Sequence, residues 1–151
     1  MNDKNLHALK IEKFLANKNL AIAGASRNTD KFGYKVFEFL RSKGYKLYPI
    51  HPEAESLDGT ICYKKPSDIP PDVRNLYVVT PQHATDKLIE SAVERGFDMI
   101  WMQQKSETPN SVALAKNKGI DIITNRCIFM YIDPKGGHAF HRFFIKLFGK
   151  L

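Results

Sequence analysis

Leu20-Ala21-Ile22-Ala23-Gly24-Ala25-Ser26-Arg27-Asn28-Thr29-Asp30-Lys31-Phe32-Gly33 begins as a short apolar run and breaks into a small, polar loop with a glycine at its entrance. The run reads as a strand, Leu20 to Ala25, entering a loop. Beyond it Val36, Phe37 and Leu40 recur at helical spacing and Gly44 supplies a stop, so the loop feeds an amphipathic helix ending near Ser42. A strand, a tight loop and a helix start together make an anion site. The first N–H groups of a helix lack intrahelical acceptors, and its dipole adds partial positive charge at the same place. Gly24 lets the chain turn closely, Ser26 offers a hydroxyl, and Arg27 and Lys31 add cationic donors. The stretch reads as a phosphate cradle, against the plainer alternative of an ordinary strand-to-helix turn with solvated charges.

The dinucleotide fingerprint Gly-x-Gly-x-x-Gly is absent, because Gly33 is the next glycine after Gly24 and position 26 is Ser. A nicotinamide site also wants an acidic residue at the end of the second strand for the ribose hydroxyls. This chain has Ile50-His51-Pro52 there, with Glu53 and Glu55 only beyond the proline. The cradle suits phosphate better than NAD.

Outward from the cradle, strands alternate with helices or crossovers. Asn2 to Asn17 fits an amphipathic helix with Asp3 as cap. The later strands are expected at Lys46–Ile50, Asn75–Thr80, Met99–Met102 and Asp121–Thr124. Thr80-Pro81 and Thr108-Pro109 read as a cap followed by a first helical proline, and Gly96 and Gly119 end those helices. From Glu53 to Pro71 the pattern fails: Asp58-Gly59 marks a turn, Ile61-Cys62-Tyr63 is a short extended piece, and Pro66, Pro70 and Pro71 exclude a long helix. The expected fold is a three-layer, Rossmann-like, doubly wound α/β domain, with a parallel five-stranded sheet in the order 3-2-1-4-5. Ligands bind such sheets at the carboxyl ends of the strands, here expected beside a switch point between the first and fourth strands. Just past those ends stand Gly24 to Arg27, His51-Pro52, Thr80-Pro81, Met102 to Gln104 and Asn125 to Cys127. They supply neither paired carboxylates nor a nucleophile with an adjacent base.

The 151 residues suit one domain, and 43% hydrophobic with 26% charged residues are ordinary for a water-soluble chain. No run approaches a membrane span and the start lacks a signal-peptide core, so a cytoplasmic location is expected. Cys62 and Cys127 match no metal or redox spacing and read as reduced thiols. Cys127 reads either as a small buried hydrophobe or as a reactive thiol. Trp101 is expected in the core. A net charge of +7 favours anionic partners. The cations are scattered and no nucleic-acid-binding motif appears, which argues against nucleic acid. Near the end, Phe140, Phe143, Phe144, Leu147 and Phe148 share one face of an expected helix over 139–148. At ~10 residues and ~15 Å it is too short to cross a bilayer. It suits docking on the domain, on a second copy as a homodimer, or on an anionic membrane surface.

With these segments assembled, the chain resembles the CoA-binding domain family, whose best known member is the N-terminal domain of the succinyl-CoA synthetase alpha subunit. It looks closer still to small stand-alone proteins made of that domain. The residues carrying the resemblance are Ala21 to Arg27 with Lys31-Phe32-Gly33, Tyr48 to Pro52, Asp58-Gly59, Thr80-Pro81, Trp101-Met102-Gln103 and Asn125-Arg126-Cys127. The resemblance implies binding of coenzyme A or an acyl-CoA. Phosphates would lie at Gly24, Ala25, Ser26, Arg27, Lys31 and Gly33, the adenosine at His51 and Pro52. The pantetheine arm would run by Thr80, Pro81, Met102 and Gln103, with Asn125 and Arg126 at the last strand end. CoA carries roughly four negative charges near neutral pH, which gives Arg27 and Lys31 something to pair with. The family commonly has Asn-Pro where this chain has His51-Pro52. The ligase's second domain and its ATP-grasp partner have no counterpart in these residues, so non-catalytic binding is expected, with no metal. An NAD(P)-dependent oxidoreductase on the same fold and a basic surface binder acting through the tail are the alternatives.

Overall fold

A run such as Leu20 to Ala23 with no polar residue needs cover on both faces, and it receives it. The computed structural model describes residues 2–132. Its elements are α1 (Asp3–Ala16), β1 (Asn19–Ala23), α2 (Phe32–Ser42), β2 (Lys46–Ile50), β3 (Asn75–Val78), α3 (Gln82–Arg95), β4 (Met99–Gln103), α4 (Pro109–Asn117) and β5 (Asp121–Arg126). Leu20 and Ile22 point into a cluster with Phe14 of α1 and Val36, Phe37 and Leu40 of α2. Ala21 and Ala23 point into the opposite cluster, with Ile89 and Ala92 of α3 and Ala115 of α4. The result is a three-layer α/β domain, with α1 and α2 on one face of the sheet and α3 and α4 on the other.

All four neighbouring strand pairs are parallel. Numbered by strand, the order is β2-β1-β3-β4-β5. The expected order 3-2-1-4-5 is therefore corrected. β3 adds to β1, not to the far side of β2, with Leu20 opposite Asn75 and Ala23 opposite Val78. The reason lies on the outer edge of β2. Pro49 has no amide to offer there, its carbonyl accepts from Tyr63 N–H at 2.7 Å, and His51 N–H donates to the Tyr63 carbonyl at 2.7 Å. That edge is already taken by the irregular crossover, which also carries a two-residue antiparallel ladder, Ser56–Leu57 with Thr60–Ile61. The strand order consequently reverses between β1 and β3, not between the first and fourth strands.

Two helix starts also differ from expectation. Asn2, not Asp3, caps α1, its Oδ1 accepting from Asn5 N–H at 2.9 Å. Thr108-Pro109 behaves as read, with a reciprocal capping box between Thr108 and Ser111. Thr80-Pro81 does not: Pro81 itself occupies the cap position of α3, and no side chain caps that helix. The helix expected over 139–148 lies outside the described residues.

α1 is fastened through its last turn. Phe14 is fully buried and meets Trp101 edge to face, with ring centroids 5.4 Å apart. Asn75 Nδ2 donates to the Phe14 carbonyl at 3.4 Å, and Tyr45 O–H donates to the Leu15 carbonyl at 2.6 Å. Burial pushes the Tyr45 phenol up to about 12. Truncation of Phe14 removes a ring from the α1 face and leaves a cavity against Trp101. Phe14→Ala is expected to cost about 3–5 kcal/mol in urea unfolding, with a lower midpoint and an unchanged m-value.

Candidate crevice at the carboxyl ends of β1 and β3

The site is built on two glycines. Gly24 ends β1 at φ +103°, and a Cβ there would lie 2.5 Å from the Val79 carbonyl carbon and 2.7 Å from Thr80 N. A Cβ on Gly33, in the first turn of α2, would lie 2.1 Å from the Gly24 carbonyl oxygen. The end of β1, the start of α2 and the chain leaving β3 thus meet backbone to backbone. No other residue type fits either position without moving one of these segments.

Between the glycines the loop is tied by its own side chains. Asn28 N–H donates to Ser26 Oγ at 3.0 Å, and Asp30 N–H donates to Asn28 Oδ1 at 3.0 Å. Ser26 therefore shapes the loop as well as presenting a hydroxyl. Ala25 is buried, whereas Arg27 and Lys31 are exposed. Lys31 stands at the cap position of α2, where no side chain caps the helix. Both helices that start at the β1–β3 crevice, α2 and α3, begin uncapped, while α1 and α4, which start elsewhere, are capped.

At the end of β2, His51 does the work of an asparagine. Its Nδ1 accepts from Glu53 N–H at 3.1 Å and from Ala54 N–H at 2.9 Å, which places the proton of the neutral ring on Nε2. Burial, then the charge of Arg27, lower its pKa from the ordinary 6.5, and Glu53 partly offsets this. Pro52 is exposed beside it. Glu53, seen in the sequence only as a carboxylate too late for a ribose, reaches back to Arg27, with Oε2 3.7 Å from the guanidinium.

The remaining sequence-derived positions divide. Thr80 and Pro81 follow β3 at the crevice, and the Thr80 hydroxyl lies 2.6 Å from that of Thr85, turned toward its own helix. The side chains of Met102 and Gln103 are shut in the core and do not line the mouth. β4 runs one residue further than its pattern indicated, and this draws Gln103 inside. There its Oε1 accepts from Tyr77 O–H at 2.7 Å and from Ile128 N–H at 3.1 Å. Asn125 is exposed at φ +55°, and Arg126 donates to the Asn125 carbonyl at 3.0 Å. Arg126 also lies near His7 of α1, whose pKa is lowered by burial first and by that charge second. These two residues end the last strand, at the edge of the sheet and not between β1 and β3. Cys127 is half-buried, and burial pushes its thiol up.

A sequence profile of the CoA binding domain matches residues 18–133, a span that takes in all five strands of the sheet. The chain belongs to the CoA-binding domain family. It is 27% identical over 153 aligned residues to the alpha subunit of an ADP-forming acetate–CoA ligase from Pyrococcus furiosus, covering 86% of this chain and 34% of that subunit. The chain thus spans about a third of that relative's length. Among solved structures, a conserved hypothetical protein of Pyrococcus furiosus aligns at TM-score 0.70 and 30% identity, covering 73% of this chain and 95% of that one. A hypothetical protein of Pyrococcus horikoshii aligns at TM-score 0.73 and 26% identity, covering 85% and 87%.

A CoA-binding domain needs a place where a diphosphate can approach backbone, and the uncapped starts of α2 and α3 beside Gly24 offer amides that fit such a group. The room a Cβ would fill at Gly24 and Gly33 is backbone contact, and uncapped helix starts open beside it. A cavity of about 420 Å³ lies instead at the amino ends of β3, β4 and β5, lined by Lys13, Asn17, Arg74, Asn75, Asp98 and Asp121. Two of its charges are engaged with each other. Arg74 donates to both Asp98 oxygens, at 2.7 and 3.2 Å, and holds that carboxyl below its usual range. No helix of the described residues is long and apolar enough to cross a membrane.

Three outcomes follow from this geometry. Gly24→Ala should cost about 1–3 kcal/mol in denaturant unfolding and abolish CoA binding by calorimetry, because relief of the contact must part β1 from β3. His51 has a folded pKa below its ordinary 6.5, so the unfolded chain binds more protons between the two values. Its contribution is complete above pH 6.5 and is lost as pH falls through the lowered value. His51→Asn keeps an acceptor without a titration, so its melting temperature should fall less than that of the wild type between pH ~7 and ~5. His51→Ala should lose about 1 kcal/mol at neutral pH.

Proposed function

We propose that the chain binds coenzyme A or an acyl-CoA and does not itself transform it. The observation that carries this reading is the distribution of helix caps. The two helices opening on the β1–β3 crevice leave their first-turn amides without a capping side chain, and the two opening elsewhere do not. An uncapped start is about 1 kcal/mol less favourable than a capped one, a cost that a bound phosphate offsets.

In this reading the diphosphate lies against the amides of Gly24 to Arg27 and the start of α2, which Gly33 seats against the Gly24 carbonyl. Arg27 and Lys31 supply mobile cations. His51 and Pro52 flank the adenosine, and the pantetheine arm passes Thr80 and Pro81 toward the ends of β4 and β5, near Asn125 and Arg126. Binding without chemistry is supported by the groups at the mouth, which are amides, hydroxyls, cations, an exposed carboxylate already facing Arg27, and an imidazole whose Nδ1 is taken by two backbone amides. The two thiols are made less reactive by burial, which raises the pKa of Cys62 and of Cys127. The matched ligase subunit is a longer protein, and the activity in its name belongs to the whole of it.

A thermal shift series with CoA, dephospho-CoA, NAD and NADP tests the proposal. CoA should raise the melting temperature with concentration, because a ligand at a hundredfold excess over Kd stabilises the native state by about 2.7 kcal/mol. A response to NAD alone overturns it. Arg27→Ala should weaken CoA more than dephospho-CoA if the guanidinium reaches the 3′-phosphate, whereas equal losses place it on the diphosphate.

A further inference from the structure

Arg27 and Glu53 face each other across the mouth, one from the loop after β1 and one from the turn after β2. Their side chains are 61% and 77% exposed, so the pair is weak on its own account. The backbone that carries the carboxylate is nonetheless held firmly. The amides of Glu53 and Ala54 both donate to His51 Nδ1, and Ala54 is buried. The guanidinium is close enough to this turn to add to the burial that lowers the His51 pKa and to work against the burial that raises that of Cys62. A carboxylate so placed opposes any ligand that brings several negative charges to the end of β2. It repels them directly, and it occupies the cation that would receive them.

We propose that Glu53 is an internal competitor for the ligand's phosphate and thereby sets how the mouth discriminates ligands by charge. Without ligand it occupies Arg27; on binding, a phosphate oxygen replaces it. The exchange is favourable because a guanidinium takes phosphate through two parallel hydrogen bonds, against a loose exposed contact with the carboxylate. The displaced carboxylate stays beside the adenosine end, since the turn beneath it is fixed. Its repulsion is therefore larger for a 3′-phosphate than for a 3′-hydroxyl. This inference rests on the CoA reading given above and assigns a role to a residue outside the phosphate cradle.

Calorimetric titration of CoA and of dephospho-CoA into the wild type, Glu53→Gln, Arg27→Ala and the double variant tests it. Glu53→Gln should tighten CoA by about threefold to tenfold at low salt, tighten dephospho-CoA less, and lose much of its effect at high salt. In the Arg27→Ala background the gain should shrink, because the competition for the guanidinium is gone and only direct repulsion remains. An unchanged or weaker CoA affinity in Glu53→Gln overturns the proposal, as does an equal gain for both ligands in both backgrounds. A wild type that binds neither ligand defeats the CoA reading itself, and this inference with it. A wild type that binds CoA but does not respond at position 53 defeats this inference alone. The melting temperature of each variant without ligand separates altered binding from altered folding.

Discussion

Three pieces of backbone meet at Gly24, and the carboxyl end of the sheet is built around that contact. The Gly24 carbonyl lies under the first turn of α2, and its α-carbon lies against the peptide joining Val79 to Thr80. Because these are main-chain contacts, the separation of β1, β3 and α2 is set by peptide geometry and not by adaptable side chains. The loop between the glycines closes through two short side-chain-to-backbone turns, at Ser26 and at Asn28. A crevice held this way requires little reorganisation when it receives a rigid anionic group, which is the sense in which a site is preorganised.

The two ends of the sheet use charge differently. At the amino ends, Arg74 grips Asp98 through two hydrogen bonds and also donates to the Gly96 carbonyl at 2.7 Å. Arg95 donates to the carbonyls of Pro70 and Val73, at 2.5 and 2.7 Å. These guanidiniums bind the crossover to the ends of α3, β3 and β4, and they are committed to the fold. At the carboxyl ends, Arg27 has only an exposed carboxylate 3.7 Å away, and the neighbouring polar atoms are amides and hydroxyls. The end with engaged charges stabilises, and the end with exchangeable ones is where the proposed ligand site lies.

Much of this was legible because it rests on local periodicity. The apolar run at Leu20, the 3.6-residue spacing after it and the Thr108-Pro109 start gave β1, α2 and α4 nearly as observed, and Trp101 is in the core as read. Strand order was not legible. It turns on Tyr63 reaching the outer edge of β2, a contact made from within a crossover that has no periodic signal. The acceptor role of His51 was hidden for a related reason, since an imidazole imitates an asparagine only once the turn brings two amides to its Nδ1. Gln103 was misplaced by an apolar pattern that stops at Met102, one residue short of the strand, and nothing in its type shows that Tyr77 and Ile128 claim its carbonyl. Glu53 was visible but was judged against the wrong ligand group, the ribose, when its neighbour in space is a cation.

The closure of the β2 edge has a consequence for self-association. A border strand with a full row of outward amides and carbonyls invites a second chain to lengthen the sheet, the commonest route to unwanted polymer. Here Pro49 interrupts the row of donors, and the Tyr63 segment occupies the flanking acceptor and the next donor. The same local geometry that sends β3 to the other side of β1 therefore denies that border to a neighbouring molecule. A copy that approaches from the β2 side therefore has to meet this one through side chains and not by lengthening the sheet at Pro49 and His51.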